Sequence, residues 1–449
     1  MRRVLMVAFH FPPQKGSSGL QRTLRFAQYL RAHRWAPVVL SAWPRAYADR
    51  SEDQLAEIPA DVPVVRAWCW DASRHFAFRG KYLLATALPD RWSTWVPFAL
   101  MSGWWQARRL RPQVLFSTYP LASAHLIGAG LQYLTGLPWV ADIRDPMTGA
   151  GSAARGVRHR LYRWIETLVA RRAAAVVFAT AEAREEFQQS FPDVPTTRLH
   201  VIENGYDEGD FQAALPLGAP AQVALDTTHA EATSAAATQA AVGGAQRRPL
   251  VLLHSGLLSP DTRSPIPFFA ALAKLLPEGH FNGQPVQVVF RASHSEAVHR
   301  PVAEQLGLGA VVRWEGGLPY RAALAEMLAA DGLLIFQGHQ HDSQIPAKIY
   351  EYCRAGRPIM GLIGVGGKTA RFMADEGLLH LAPLLEVDAI VPVLRQFLLQ
   401  LQDGTAPVVP LARAQHFSRE CRTAELAAVL DAVAAGGAAT RDADNQGSP

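Results

Sequence analysis

Four short segments of the chain gather residue types suited to an anionic, hydroxyl-bearing ligand. In Asp142-Ile143-Arg144-Asp145-Pro146, three charged residues end the apolar run from Trp139 to Ile143. Strand ends in α/β sheets are where reactive groups are presented. An ordinary Asp–Arg ion pair with Asp145 capping a helix is the plainer alternative. The second segment runs from Ile345 to Pro358 and holds Lys348 and Glu351, three residues apart and so on one helical face. Pro346 suits the start of that helix, and Gly356 with Pro358 suits its stop. A carboxylate near a helix start can accept both hydroxyls of a ribose diol. A plain surface Lys–Glu pair has the same spacing.

The third segment is His254-Ser255-Gly256 with Arg263. Gly256 would let a phosphate approach the backbone, and Arg263 would supply a forked cation for it. The fourth is the loop Gly16-Ser17-Ser18-Gly19, between a first strand and a first helix. Small residues ahead of a helix N-terminus admit an anion. The loop is neither the dinucleotide glycine fingerprint nor a Walker motif, and such residues are also plain turn formers.

These segments need a scaffold of parallel strands. Short apolar runs alternate with amphipathic stretches: Val4–Phe9, Val38–Ser41, Val62–Ala67, Val114–Ser117, Trp139–Ile143 and Ala175–Ala179, with a last strand at His200–Glu203 before the turn Asn204-Gly205. The pattern restarts at Leu250–His254 and continues through Val286–Phe290, Val311–Glu315, Gly332–Phe336 and Pro358–Leu362. Between the halves, residues 212–248 are rich in Ala, Thr, Gln and Gly, which reads as a flexible linker. The expectation is α/β architecture with two tandem Rossmann-like domains, 1–211 and 249–410. A crossing helix is expected over 411–435 and a disordered tail over 436–449.

A chain of 449 residues exceeds a single core, and its 49% hydrophobic content suits two. Three distant cysteines, Cys69, Cys353 and Cys421, speak against a disulfide framework or a zinc site and fit a reducing cytosol. The N-terminal apolar run is short and ends at Pro12-Pro13, so a buried strand is expected there rather than a leader. No stretch reaches the length needed to span a bilayer. Residues 1–205 hold 26 Lys+Arg against 15 Asp+Glu, and residues 206–449 hold 18 against 24. The basic first half suits an anionic partner, although solvated arginine faces give the same count.

Five segments in order carry a resemblance. They are Phe9-His10-Phe11-Pro12-Pro13 with Gly16, Gly19 and Arg22; Ala141 to Pro146; Val201 to Asp207; His254-Ser255-Gly256 with Arg263; and Pro346 to Tyr352. Together they span nearly the whole chain, which resembles family 4 glycosyltransferases of the GT-B fold, in the branch that builds bacterial surface polysaccharides. The resemblance implies retaining transfer from a nucleotide-diphospho sugar to a saccharide or lipid-linked acceptor, with no metal and no cofactor. The second domain would hold the donor: Glu351 on the ribose, Gly256 and Arg263 on the diphosphate, Leu318 near the base, Lys348 close by. The first would hold the acceptor, with His10 and the Gly16–Ser17–Ser18–Gly19 loop near the transferred sugar and Asp142, Arg144 and Asp145 lining the reaction centre.

Two positions depart from the family pattern. Ser343 stands where many members have the first of two glutamates, leaving Asp342 or Lys348 to serve the donor sugar. Ser264 and Pro265 follow Arg263 where a lysine is common. A 2-epimerase-type isomerase on the same fold, or a donor-binding pseudoenzyme, are the rival readings. A classical dehydrogenase is disfavoured by the missing glycine fingerprint. The aromatic and basic stretch Arg91-Trp92-Ser93-Thr94-Trp95, Trp104-Trp105, Arg108, Arg109 and Arg111 suits a peripheral contact with the cytoplasmic membrane face, or burial under a core helix. No nucleic-acid-reading module is present.

Overall fold

Parallel strands buried on both faces need continuous apolar runs, and the strands of the first unit have them. A computed structural model describes residues 1–15, 18–52, 54–76, 84–149, 152, 154–214, 247–342 and 344–446. The first unit comprises residues 1–205 and 419–449. Its strands are β1 (Arg2–Val7), β2 (Trp35–Ala42), β3 (Val64–Ala67), β4 (Val114–Thr118), β5 (Trp139–Arg144), β6 (Ala175–Phe178) and β7 (Leu199–Val201). They form one sheet in the order β3-β2-β1-β4-β5-β6-β7, every pairing parallel. The order reverses between β1 and β4, which opens a crevice at their C-terminal ends.

Helices cover the sheet: α1 (Ser18–Tyr29), α2 (Trp95–Leu110), α3 (Ala122–Thr135), α4 (Gly156–Arg172) and α5 (Ala181–Ser190). Thr180 caps α5 by accepting from the Ala183 amide at 3.1 Å. One core joins Leu5, Leu40, Leu115, Trp139 and Ile127; another joins Val4, Met6, Phe26, Trp35 and Phe116.

The second unit is residues 206–418. Its strands are β8 (Leu250–Ser255), β9 (His280–Phe281), β10 (Gln284–Arg291), β11 (Val312–Glu315), β12 (Gly332–Phe336), β13 (Ile359–Leu362) and β14 (Leu381–Ala382). The order is β11-β10-β8-β12-β13-β14, parallel throughout, with β9 pairing antiparallel to β10. Here the reversal lies between β8 and β12. Its helices are α6 (Glu208–Ala214), α7 (Ile266–Leu275), α8 (Glu296–Gln305), α9 (Tyr320–Ala329), α10 (Lys348–Ala355), α11 (Lys368–Asp375) and α12 (Val387–Asp403).

The division between units falls after Gly205, ahead of the expected boundary at 211. Tyr206 and Phe211 are buried in the second unit's core, and Arg354 of α10 grips Glu208 through two bonds of 2.6 Å. Of the expected linker 212–248, residues 212–214 close α6, 247–248 lead into β8, and 215–246 lie outside the described residues.

The C-terminal expectation also changes. Residues 411–418 stay with the second unit, and α13 (Arg419–Gln446) returns to the first. It continues through 436–446, where a disordered tail was expected; 447–449 lie outside the described residues. Alanines flanking Gly436-Gly437 favour helix. A Cβ on Gly437 would sit 3.1 Å from Pro138, so the glycine permits close packing there. Leu426 and Leu430 of α13 are fully buried beside Met6 and Phe116. The Trp35 indole donates to Asp431 at 2.7 Å. Truncating Leu426 or Leu430 to alanine is expected to destabilise the first unit by about 2–5 kcal/mol. A thermal melt should show the first unit's transition moving down while the second unit's stays.

Candidate active site

In the first unit, the loop after β1 meets the start of α1 at the reversal of strand order. A Cβ built on Gly19 would lie 3.1 Å from Arg144 Nη1, 3.2 Å from His10 Nδ1 and 3.3 Å from Pro120 Cδ. Glycine is therefore what lets the ends of β1, β4 and β5 converge on this helix start. Gly16 and Ser17 lie outside the described residues, and Ser18 is the first residue of α1.

Arg144 ends β5 at a register shift and has φ of +67°, a conformation non-glycine residues seldom adopt. Such strain costs on the order of 1–3 kcal/mol and gathers at functional sites. The bend brings the guanidinium to Gly19 and His10. Burial, then the neighbouring Arg22, lowers the pKa of Arg144. Burial, then Arg144, pulls His10 down to about 4, so the imidazole is neutral at neutral pH. A neutral imidazole and a guanidinium at a helix start suit a hydroxyl and an anion side by side.

Asp142 has a different place from its neighbours. It is fully buried, and Arg22 binds both its oxygens, Nε and Nη2 each at 3.0 Å. Thr118 of β4 adds a third bond at 2.7 Å. Arg22 also donates to the carbonyls of Ile202 and Glu203, both at 2.9 Å. Asp142 thus faces protein. Asp145 is partly buried and its amide donates to Ile143 O at 2.9 Å; no helix starts there, so it does not cap one.

In the second unit the corresponding reversal lies between β8 and β12. Gly256 follows β8 with φ of +126°, and a Cβ there would meet Lys348 Nζ at 2.6 Å. Lys348, the first residue of α10, reaches back to donate to Ser255 O at 2.7 Å. Burial, then Arg263, pulls its pKa down to about 7, against a raising effect of Glu351. The Nε of Arg263 is buried with no hydrogen-bond partner among the described residues, and burial lowers its pKa. Two cations held close and desolvated are stabilised when an anion arrives between them.

Glu351 lies one turn along α10, where Tyr320 of α9 donates to its Oε1 at 2.7 Å. Leu318 is 40% exposed two residues before Tyr320, and Gly316 and Gly317 have open space at their Cβ positions. Lys348, Gly256, Arg263 and Glu351 are therefore brought together, with Leu318 adjoining through Tyr320. His254 belongs to the core: it is buried, with Nδ1 2.8 Å from Leu334 O and its ring edge-on to Phe336.

Ser343 lies outside the described residues. Asp342 packs its carboxylate against Gly364 and Gly367, whose Cβ positions would be 2.4 Å and 2.9 Å from Oδ1. His339 also pairs with it at 3.2 Å. Sequence reasoning missed the groups that position this loop. Thr369 Oγ1 donates to Gln337 Oε1 at 2.7 Å, and Gln337 Nε2 donates to the carbonyls of His341 and Gln344. Tyr352 accepts from the Ser255 amide at 3.0 Å. Tyr352 lies one turn from Lys348, a spacing that links them once both face β8. Thr118, Gln337 and Thr369 have no such signal.

The aromatic and basic stretch divides. Trp95 is fully buried and Trp92 packs on Phe9 at 4.9 Å, so these two serve the core. On α2, Met101, Trp105, Arg108 and Arg109 face solvent, and Arg109 lies over the Trp105 ring at 5.3 Å.

Residues 19–205 match the family described as the glycosyl transferase 4-like domain. Solved structures share the architecture of the whole chain at low identity. HepE of Anabaena, in complex with UDP-glucose, is 16% identical with a TM-score of 0.61, covering 96% of this chain and 100% of that one. WaaG, a glycosyltransferase involved in lipopolysaccharide biosynthesis, gives 15% and 0.55, covering 96% and 98%. The UDP-GlcNAc 2-epimerase of Neisseria meningitidis, bound to UDP-GlcNAc, gives 12% and 0.56, covering 96% and 99%. No curated protein matches the chain by sequence. The fold is the two-domain GT-B fold.

Removing one member of the Arg22–Asp142 pair leaves a buried charge. Asp142→Ala is expected to cost about 3–5 kcal/mol, and Arg22→Met with Asp142→Leu to recover most of it. Urea unfolding of the two variants measures the difference.

Proposed function

We propose that this chain, which carries a glycosyl transferase 4-like domain at residues 19–205 on a GT-B fold, is a retaining glycosyltransferase acting without a bound metal. It would move a sugar from a nucleotide-diphospho sugar to a saccharide or lipid-linked acceptor in surface-polysaccharide synthesis. The observation that carries the reading is the convergence of Gly256, Lys348 and Arg263 at the end of β8, one helical turn from Glu351. Bare backbone and two cations suit a diphosphate, and a carboxylate at that distance suits a ribose diol.

In the transfer, the bond from the sugar's C1 to the diphosphate oxygen breaks and the acceptor oxygen bonds to C1. The acceptor's proton leaves with the phosphate or solvent. Negative charge grows on the leaving diphosphate, which Lys348 and Arg263 would stabilise. Arg144 and neutral His10 would bind the acceptor side, with Asp145 beside them. Asp142 would act as a positioning residue through Arg22, and Asp342 beside Gly364 and Gly367 would take the place of the missing glutamate. HepE and WaaG, proteins of this fold with a sugar nucleotide bound or a role in lipopolysaccharide synthesis, support the donor class and pathway. Of the rival readings, a 2-epimerase would consume donor with no acceptor present, and a pseudoenzyme would bind donor without turnover.

A thermal-shift panel of nucleoside diphosphates and nucleotide sugars tests the donor site. One nucleotude class should raise the melting temperature, by about 2.7 kcal/mol of stabilisation at a hundredfold excess over Kd. Glu351→Ala and Arg263→Ala should each abolish the shift; retention in both would remove the donor assignment. The sign of the pH effect follows from Lys348. Below its depressed value of about 7 the lysine is already charged; above it, binding must bring a proton. Affinity should therefore fall as pH rises from about 7 towards the ordinary lysine value of about 10.4. Calorimetry at pH 8 in buffers of different ionisation enthalpy should record proton uptake, and Lys348→Met should record none.

The exposed face of α2 would give the protein a peripheral contact with the cytoplasmic membrane face. Among the described residues no helix is long and apolar enough to cross a membrane. Flotation with anionic liposomes should be lost in Arg108→Glu/Arg109→Glu; equal flotation of variant and parent would remove the membrane role.

A further inference from the structure

A polar pocket lies in the first unit, and none of the residues assigned above lines it. It is open, about 950 Å³, and is walled by Pro13, Lys15, Pro44, residues 48–52, Leu55 and Arg66. Its walls are tied together by backbone bonds. The Ser51 amide donates to Pro13 O at 2.9 Å, the Lys15 amide to Asp49 O at 3.1 Å, and Gln14 bridges antiparallel to Arg50.

Arg66, on β3, is the informative residue. It is partly buried, its guanidinium lies over the Phe11 ring at 5.7 Å, and Nη2 donates to Pro12 O. Its guanidinium also lies within hydrogen-bonding reach of the Tyr47 hydroxyl, but its Nη1 is buried with no well-directed partner among the described residues. The side chain that acts on its charge is Tyr47, a neutral phenol whose hydroxyl donates to Phe9 O at 2.7 Å. A guanidinium taken partly out of water without a carboxylate is costly unless a ligand supplies the anion. Lys15 and Arg50 add two more cations to the same walls. Asp49 and Glu52 line it too. They would oppose a bare inorganic anion, yet carboxylates accept hydrogen bonds from hydroxyls. Leu55 and the prolines offer apolar surface to the C–H faces of a ring.

We propose that this pocket binds an acidic saccharide, a sugar ring bearing a carboxylate or phosphate, with Arg66 pairing the anion and Asp49 and Glu52 accepting from the ring hydroxyls. That the bound saccharide is the acceptor rests on the glycosyltransferase reading; the pocket and its ligand class do not.

Isothermal titration of the full chain, with and without saturating nucleoside diphosphate, tests this with glucose 6-phosphate, glucuronate, glucose and inorganic phosphate. At least one of the two charged sugars should bind saturably, and the better of them reports which anion Arg66 pairs. Glucose and inorganic phosphate should each bind at least about tenfold more weakly, as expected when a charged hydrogen bond or the ring contacts are missing. Arg66→Gln should abolish binding. Because Arg66 also holds Pro12, the surface variant Lys15→Gln/Arg50→Gln is the second probe, with binding weakened about tenfold for the lost charged contacts. Both variants should keep the nucleotide-induced thermal shift. No binding of either charged sugar, equal binding of glucose or inorganic phosphate, or unchanged affinity in both variants would overturn the proposal. Loss of the nucleotide shift in the parent chain, with sugar binding retained, would instead sink the donor reading and leave the pocket standing.

Discussion

The first unit depends on one buried guanidinium. Arg22 leaves α1 and binds Asp142 on β5 through two oxygens, and Thr118 on β4 closes the same carboxylate. Its remaining donors hold Ile202 and Glu203, just ahead of Gly205, where the chain leaves the unit. One side chain thus fixes a helix, two central strands and the exit. An ion pair this deep gives little net stability, since desolvation offsets most of the attraction. Its effect is geometric: with Asp142 saturated, the next charged residue, Arg144, turns out of the sheet through its strained φ and meets Gly19 and His10.

The second unit reaches the same end differently. At the end of β8 a lysine, rather than a carboxylate, makes the anchoring contact. Lys348 reaches from the start of α10 to the Ser255 carbonyl, across a gap kept open by the missing side chain of Gly256. Desolvation leaves this lysine at the edge of losing its proton, with Arg263 adding repulsion. The cost of holding these cations close is offset when a ligand carries the opposite charge. In both units the proposed functional groups sit where strand order reverses, the place the parallel topology leaves open.

How much of this was legible in the sequence differs by residue. Strand identity followed from apolar runs, because parallel strands are buried on both faces. The Lys348–Glu351 spacing and the Gly256–Arg263 loop were also readable, since helix period and glycine chemistry are local. The Asp142-Ile143-Arg144-Asp145 run looked like three equivalent groups. The bulge that separates the Asp142 carboxylate, saturated by Arg22, from the Arg144 guanidinium at Gly19 depends on register with β6, which no local pattern encodes. The partner of Lys348 lies 93 residues away, and Gln337 and Thr369 carry no motif. The tail from 436 reads as disordered from its Gly/Ala and polar composition, yet close packing of Gly437 on Pro138 lets glycine fit there within a longer helix.

The central claim is that the second unit alone holds a nucleoside diphosphate at the end of β8. Hydrogen–deuterium exchange of the full chain, with and without the nucleotide, reports it directly. Protection is predicted over residues 254–263, 316–320 and 346–352, with 8–22 and 142–147 unchanged by the nucleotide alone. Protection at 8–22 and 142–147, with the second unit's loops unmoved, would contradict the account.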